Sequence, residues 1–117
     1  MNNDSDTTVA ALRQLVARFV DERDWQQFHD PKNLAMSIAI EAAELMEHFQ
    51  WLRSDQMREI TGDPDAMSRV REELADVLAF AVAFANTLDI DITQAMTDKF
   101  RKNAQKYPAD RFRGRFK

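Results

Sequence analysis

Ser37-Ile38-Ala39-Ile40-Glu41-Ala42-Ala43-Glu44-Leu45 reads, at about 100° per residue, as one side of a helix whose carboxylates sit on the wrong face. With Glu41 as origin, Leu34 falls about 20° away, Leu45 about 40° and Ile38 about 60°. Glu44 lies about 60° to the other side, still inside an apolar stripe. A soluble helix turns its acids away from such a stripe, because enclosed carboxylates are costly unless they are paired or hold a cation. The anomaly recurs in Val70-Arg71-Glu72-Glu73-Leu74-Ala75-Asp76-Val77-Leu78. Around Glu73, Ala66, Val77, Phe80 and Phe84 fall within about 40°, and Asp76 follows at i+3. Two such helices facing one another gather four carboxylates, an all-oxygen ligand set suited to Mg²⁺, with Mn²⁺ as a substitute.

Working outward from these helices, 117 residues make one domain with a modest core. Two glycines and three prolines favour long helices over many-turned β-structure. The 44% hydrophobic and 31% charged residues describe a globular chain without a disorder signature. A net charge of −4 argues against a nucleic-acid polymer as partner. With no cysteine there is neither disulfide nor thiolate chemistry. A polar N-terminus and the lack of an apolar run of membrane length give a cytoplasmic expectation.

Val9, Leu12, Leu15, Val16, Phe19 and Val20 recur at helical steps and predict a helix over about 8–23, capped by Asp6 or Thr7. Residues 1–7 form a frayed leader in this reading. Glu22 to Pro31 lacks helical periodicity but carries Trp25 and Phe28, which either plug the core end or wall a flat ligand. Asp30-Pro31 starts a second helix, predicted over 32–52, with His48 on the face of Glu44 as its neighbour. A short helix over 55–61 precedes the turn at Gly62 and a third long helix over 65–88. In that helix Val77 to Ala85 is apolar all round and predicts burial all round, against a second subunit. A last helix over 92–106 carries Lys99, Asn103 and Lys106 in one stripe, and Tyr107-Pro108 ends it. The basic and aromatic tail, about 109–117, is expected to be loosely held. The fold expected is therefore all-α: four main helices plus a short one, in a bundle completed by oligomerisation.

Three readings of the acids compete. Core ion pairs need a central base, and Arg69 is the only one near Glu73. A di-iron bundle needs Glu-x-x-His on two helices, and neither His29 nor His48 supplies it. Metal-assisted phosphate chemistry fits the acids, with Lys99 standing in for the missing glycine-rich cradle.

Glu41-x-x-Glu44 followed after 28 residues by Glu73-x-x-Asp76 resembles the metal signature of MazG-like nucleotide pyrophosphohydrolases, in the all-α NTP pyrophosphatase superfamily. Glu22-Arg23-Asp24-Trp25, Gln27-Phe28-His29, Pro31, Asn33-Leu34, Phe49-Gln50-Trp51, Glu72-Glu73-Leu74 and Tyr107-Pro108 are similar to the dCTP pyrophosphatase branch. The resemblance implies hydrolysis of a (deoxy)nucleoside triphosphate to monophosphate and diphosphate, as house-cleaning of dCTP-like or modified nucleotides, by a dimer or tetramer. It implies Mg²⁺ on Glu41, Glu44, Glu73 and Asp76, with Glu41 or Glu44 as base. Trp25, His29, Trp51 and Phe80 then border the base, and Lys99, Asn103 and Tyr107 the phosphates. Phe80 and Val16 depart from a tyrosine and a histidine of that branch, which bears on base and sugar preference. The competing reading is a non-catalytic helical interaction protein that keeps the bundle.

Overall fold

The computed structural model describes residues 3–115. Its main elements are α1 (Val9–Glu22), α2 (Pro31–Glu47), α3 (Arg58–Thr61), α4 (Pro64–Leu88), α5 (Ile92–Lys106) and α6 (Ala109–Phe112), with 3₁₀ turns at Gln26–Phe28 and Ser54–Gln56. Among the described residues there is no strand, as an all-α fold requires. No helix of the described residues is long and apolar enough to cross a membrane.

Local chemistry sets the helix starts. Thr8 Oγ1 accepts the Ala11 N–H at 3.0 Å, so the cap is Thr8 rather than Asp6 or Thr7. Asp30 Oδ1 accepts from Asn33 N–H at 2.8 Å with Pro31 in the first turn, and Asp91 caps α5 in the same way at 2.8 Å. Each satisfies an N–H that the helix itself leaves without a partner. Asp63 caps α4 through the Asp65 N–H, and Pro64 follows. At its other end α4 stops on Asp89 in the left-handed region (φ 53°), with the Ile90 N–H reaching back to the Ala85 carbonyl at 2.9 Å.

Three boundaries differ from the sequence reading. α2 stops at Glu47, not at 52: His48 caps it, and Phe49 and Leu52 then turn inward through tight turns whose N–H groups bond Met46 and Phe49 carbonyls. The i, i+3 spacing of Phe49 and Leu52 suits such turns as well as a helix, which is why periodicity did not separate them. The short helix expected over 55–61 is split into the 3₁₀ turn and α3, because Gln56 folds its side chain back to the Arg53 N–H at 2.9 Å. The tail is not structureless throughout: α6 forms there and sets Phe112 edge-on against Tyr107, 5.2 Å between ring centres. Of the leader, residues 3–6 form a turn closed on the Asn3 side chain. Met1, Asn2, Phe116 and Lys117 lie outside the described residues.

α4 is the spine. α2 packs most extensively against it, α1 and α3 also pack on it, whereas α5 has no comparable packing partner within the chain. Leu34 (1% exposed), Val20, Ala66, Ala83 and Ala85 form the buried centre, a small core for this length. The radius of gyration is 17.3 Å, against about 13 Å for a compact domain of this size. Leu12, Leu15 and Phe19 on α1, Leu74 and Leu78 on α4, and Met96 and Phe100 on α5 stay exposed. The segment from Val77 to Ala85 is thus not covered all round within one chain: Ala83 and Ala85 are buried, but Leu78 is 55% exposed.

Candidate active site

The packing of α2 along α4 brings the two acidic pairs together. Glu41, Glu73 and Asp76 each present a carboxylate oxygen, and the three atoms lie within 4.8 Å of one another. Glu44, one turn on from Glu41, stands close enough to hydrogen-bond with both Glu41 and Glu73. Among the described residues no lysine or arginine forms an ion pair with any of the four. Among the described residues His48, at the C-cap of α2, reaches the cluster with its Nε2 3.9 Å from Glu73 Oε1 on α4.

The electrostatics follow from that crowding. Glu41 is pushed up from 4.5 to about 7, first by burial, then by hydrogen bonding with and repulsion from Glu44, then by Asp76 and Glu73. Glu73 is raised by burial, by Glu44 and by Asp76, and His48 offsets part of the rise. One oxygen of each, Glu41 Oε2 and Glu73 Oε2, is enclosed without a hydrogen-bond partner. Enclosed, unpaired carboxylate oxygens are costly. Three converging oxygens, two enclosed orphans and no competing base are what a hard divalent cation requires, so the residues fit one.

Asp76 also lines the mouth of a cavity of about 550 Å³ between α1 and α4. Its walls are apolar and aromatic, made by Leu15, Val16, Phe19, Trp25, Phe80 and Ala83, with His29 at one side. Trp25 is held edge-on by Phe19 at 5.7 Å and an interplanar angle of 73°. His29 leans on Phe80, 6.4 Å between ring centres. Trp25, His29 and Phe80 are therefore brought together on the cavity that Asp76 also lines. Trp51 is 87% exposed in the turn after α2 and does not line this cavity. Lys99, Asn103 and Tyr107 lie along α5 and its C-terminal cap, away from the α2–α4 pair in the same chain.

The sequence reading missed Leu15 and Phe19 as cavity walls. The signal was present, since both belong to the apolar stripe of α1, but a stripe does not say whether it covers a core or a cavity.

The chain matches the model of the MazG-like family over residues 36–116. It is 39% identical over 107 residues to dCTP pyrophosphatase 1 of Mus musculus, covering 92% of this chain and 63% of that protein. For dCTP pyrophosphatase 1 of Bos taurus the figures are 37% over 110 residues, 94% and 65%. The chain thus spans somewhat under two thirds of the length of these relatives. Among solved structures, a pyrophosphatase from Archaeoglobus fulgidus superposes with a TM-score of 0.77 at 42% identity, over 83% of this chain and 89% of that one.

Proposed function

Because this chain belongs to the MazG-like family, we propose that it is a metal-dependent nucleotide pyrophosphohydrolase. It splits (d)NTP and water into (d)NMP and diphosphate, acting on dCTP-like or modified nucleotides. The observation that carries this reading is the meeting of three carboxylate oxygens within 4.8 Å at the mouth of an aromatic-walled cavity. Proteins similar over most of the chain are pyrophosphatases by name, which supports it.

Glu41, Glu73 and Asp76, with Glu44 beside them, would hold Mg²⁺ or Mn²⁺. When bound, the cation supplies positive charge against the phosphate oxygens as the α–β anhydride bond breaks. Trp25 and Phe80 clamp the base between apolar faces, which fixes the α-phosphorus near the acids and converts attack by water into a positioned event. Glu41 or Glu44 takes the proton of the attacking water. The bond from the α-phosphorus to the bridging oxygen breaks, and diphosphate departs with that oxygen.

The phosphate-side stripe of Lys99, Asn103 and Tyr107 needs a second copy. α5 packs against neither acidic helix of its own chain to the extent that α2 packs on α4, and it exposes Met96 and Phe100. Eight of the sixteen basic residues lie at or after Lys99, against the single carboxylate Asp110, so this arm complements the acidic remainder of another subunit. The chain works as a homo-oligomer. Release of diphosphate from a dNTP panel, with Mg²⁺ and with EDTA, tests the function. Turnover of dCTP only with metal is expected, and no diphosphate from any nucleotide would overturn it.

A further inference from the structure

α1 ends at Glu22, and soon after it Trp25 forms part of the wall of the apolar cavity. The chain turns from one to the other through Asp24, whose φ of 54° lies in the left-handed region. Glycine enters that region without a penalty from Cβ, and aspartate tolerates it better than most side chains. Two backbone bonds close over the left-handed residue. The Asp24 N–H donates to the Asp21 carbonyl at 3.1 Å, and the Trp25 N–H to the Val20 carbonyl at 3.0 Å. Both satisfy carbonyls that the end of α1 leaves without partners. With a negative φ at position 24 the two bonds do not form together, and the chain leaves α1 in another direction.

Side chains hold the same turn from both sides. Gln27 Nε2 donates to the Asp24 carbonyl at 3.0 Å and lies 3.4 Å from Asp24 Oδ2. Arg23 Nη1 donates to the Phe19 carbonyl at 3.0 Å, and its guanidinium carbon sits 3.7 Å from the centre of the Phe19 ring. Phe19, held in this way, meets Trp25 edge-on. Both rings line the cavity that Asp76 also lines. A left-handed residue that is not glycine, placed immediately before a cavity wall, is a local cost kept for the geometry it imposes.

Resting on the pyrophosphohydrolase reading, we propose that Asp24 is a positioning residue for substrate binding. Its left-handed backbone, not its carboxylate, sets the Trp25 ring on the cavity wall and so sets the affinity for the nucleotide base.

The test compares variants of the full chain that all lose the carboxylate. Asp24→Gly keeps the left-handed turn, whereas Asp24→Val, branched at Cβ, opposes it. Hydrolysis of dCTP with Mg²⁺ gives KM and kcat. Acrylamide quenching of Trp25 emission, with Trp51→Phe in every protein compared, reports the ring without any nucleotide. Asp24→Val is expected to raise KM at least about 5-fold, the lower bound for a lost base–aromatic stack, with kcat little changed and quenching increased. Asp24→Gly is expected to keep KM and quenching close to the wild-type values. Should the valine variant not fold, Asp24→Ala gives the same comparison with a milder Cβ penalty and the same direction of change. An equal rise of KM in the glycine and valine variants would make the carboxylate the working part and overturn the proposal. So would a valine variant that melts lower but keeps its KM, the mark of a merely structural role. If the wild type hydrolyses no nucleotide, the pyrophosphohydrolase reading fails and the quenching series still decides the placement of Trp25. Quenching raised by valine and not by glycine supports that placement, and equal quenching in all three proteins overturns it.

Discussion

Replacing Glu41 by glutamine should stabilise the metal-free protein and remove its function together. The side chain keeps its volume and loses the charge that Glu44, Glu73 and Asp76 oppose. Glu41 is held at about 7 in the fold against an ordinary value of 4.5. In the unfolded chain it ionises near 4.5, so between 4.5 and 7 the native state binds more protons than the unfolded one. Stability of the metal-free protein is therefore full below about 4.5 and is lost as pH rises through about 7. At about 1.4 kcal/mol per unit the full difference is about 3 kcal/mol, and solvent screening on the open side of the cluster reduces it to about 1–2 kcal/mol. For 117 residues that corresponds to about 3–8 °C in Tm. The assay is thermal unfolding of wild type and Glu41→Gln in EDTA at pH 5 and pH 8, at matched protein concentration. The variant should melt higher at pH 8, by this margin, and no higher at pH 5, where the wild-type carboxyl is already protonated. Mg²⁺ should then raise the wild-type Tm at pH 8 by mass action and the variant much less. A variant that melts clearly below the wild type at pH 8 in EDTA would refute the argument, because Glu41 would then be making a stabilising pair.

Asp76→Asn and Glu44→Gln should each abolish diphosphate release while leaving the circular dichroism spectrum unchanged; wild-type turnover in either removes that residue from the metal site. Trp25→Ala should raise KM about 5- to 100-fold with a smaller effect on kcat, as loss of a base–aromatic stack does, and a fall in stability at constant KM returns Trp25 to the core. Leu78→Lys, on the exposed face of α4, should dissociate the oligomer without unfolding the subunit, and sedimentation that shows the same species in both proteins contradicts an interface there. Leu34→Ala should cost about 2–5 kcal/mol in denaturant unfolding, since Leu34 is the most completely enclosed large side chain; a loss below about 1 kcal/mol would mean that the α2–α4 seam is not the core.

How far the sequence disclosed this arrangement depended on the kind of signal. The acid pairs were legible because Glu41 and Glu73 violate the polarity of their own helix faces, and burial makes such violations expensive enough to require a reason. The long helices were legible from periodicity and from the aspartate caps at Asp30 and Asp91. Trp51 was not, because Phe49 and Leu52 carry the apolar pattern past the end of α2 into turns that throw the tryptophan outward. The solitary position of α5 was not legible either. Its Met96 and Phe100 stripe announces that something covers that face and carries no information about which chain does so.

The central claim, that the quartet directs a metal-assisted attack of water on the α-phosphorus, is tested most directly by hydrolysis of dCTP in H₂¹⁸O followed by ³¹P NMR and mass spectrometry. With Mg²⁺ the products should be dCMP and diphosphate, with the label entirely in dCMP, and EDTA should stop the reaction. Label in diphosphate, release of dCDP and orthophosphate, or undiminished turnover in EDTA would contradict the account.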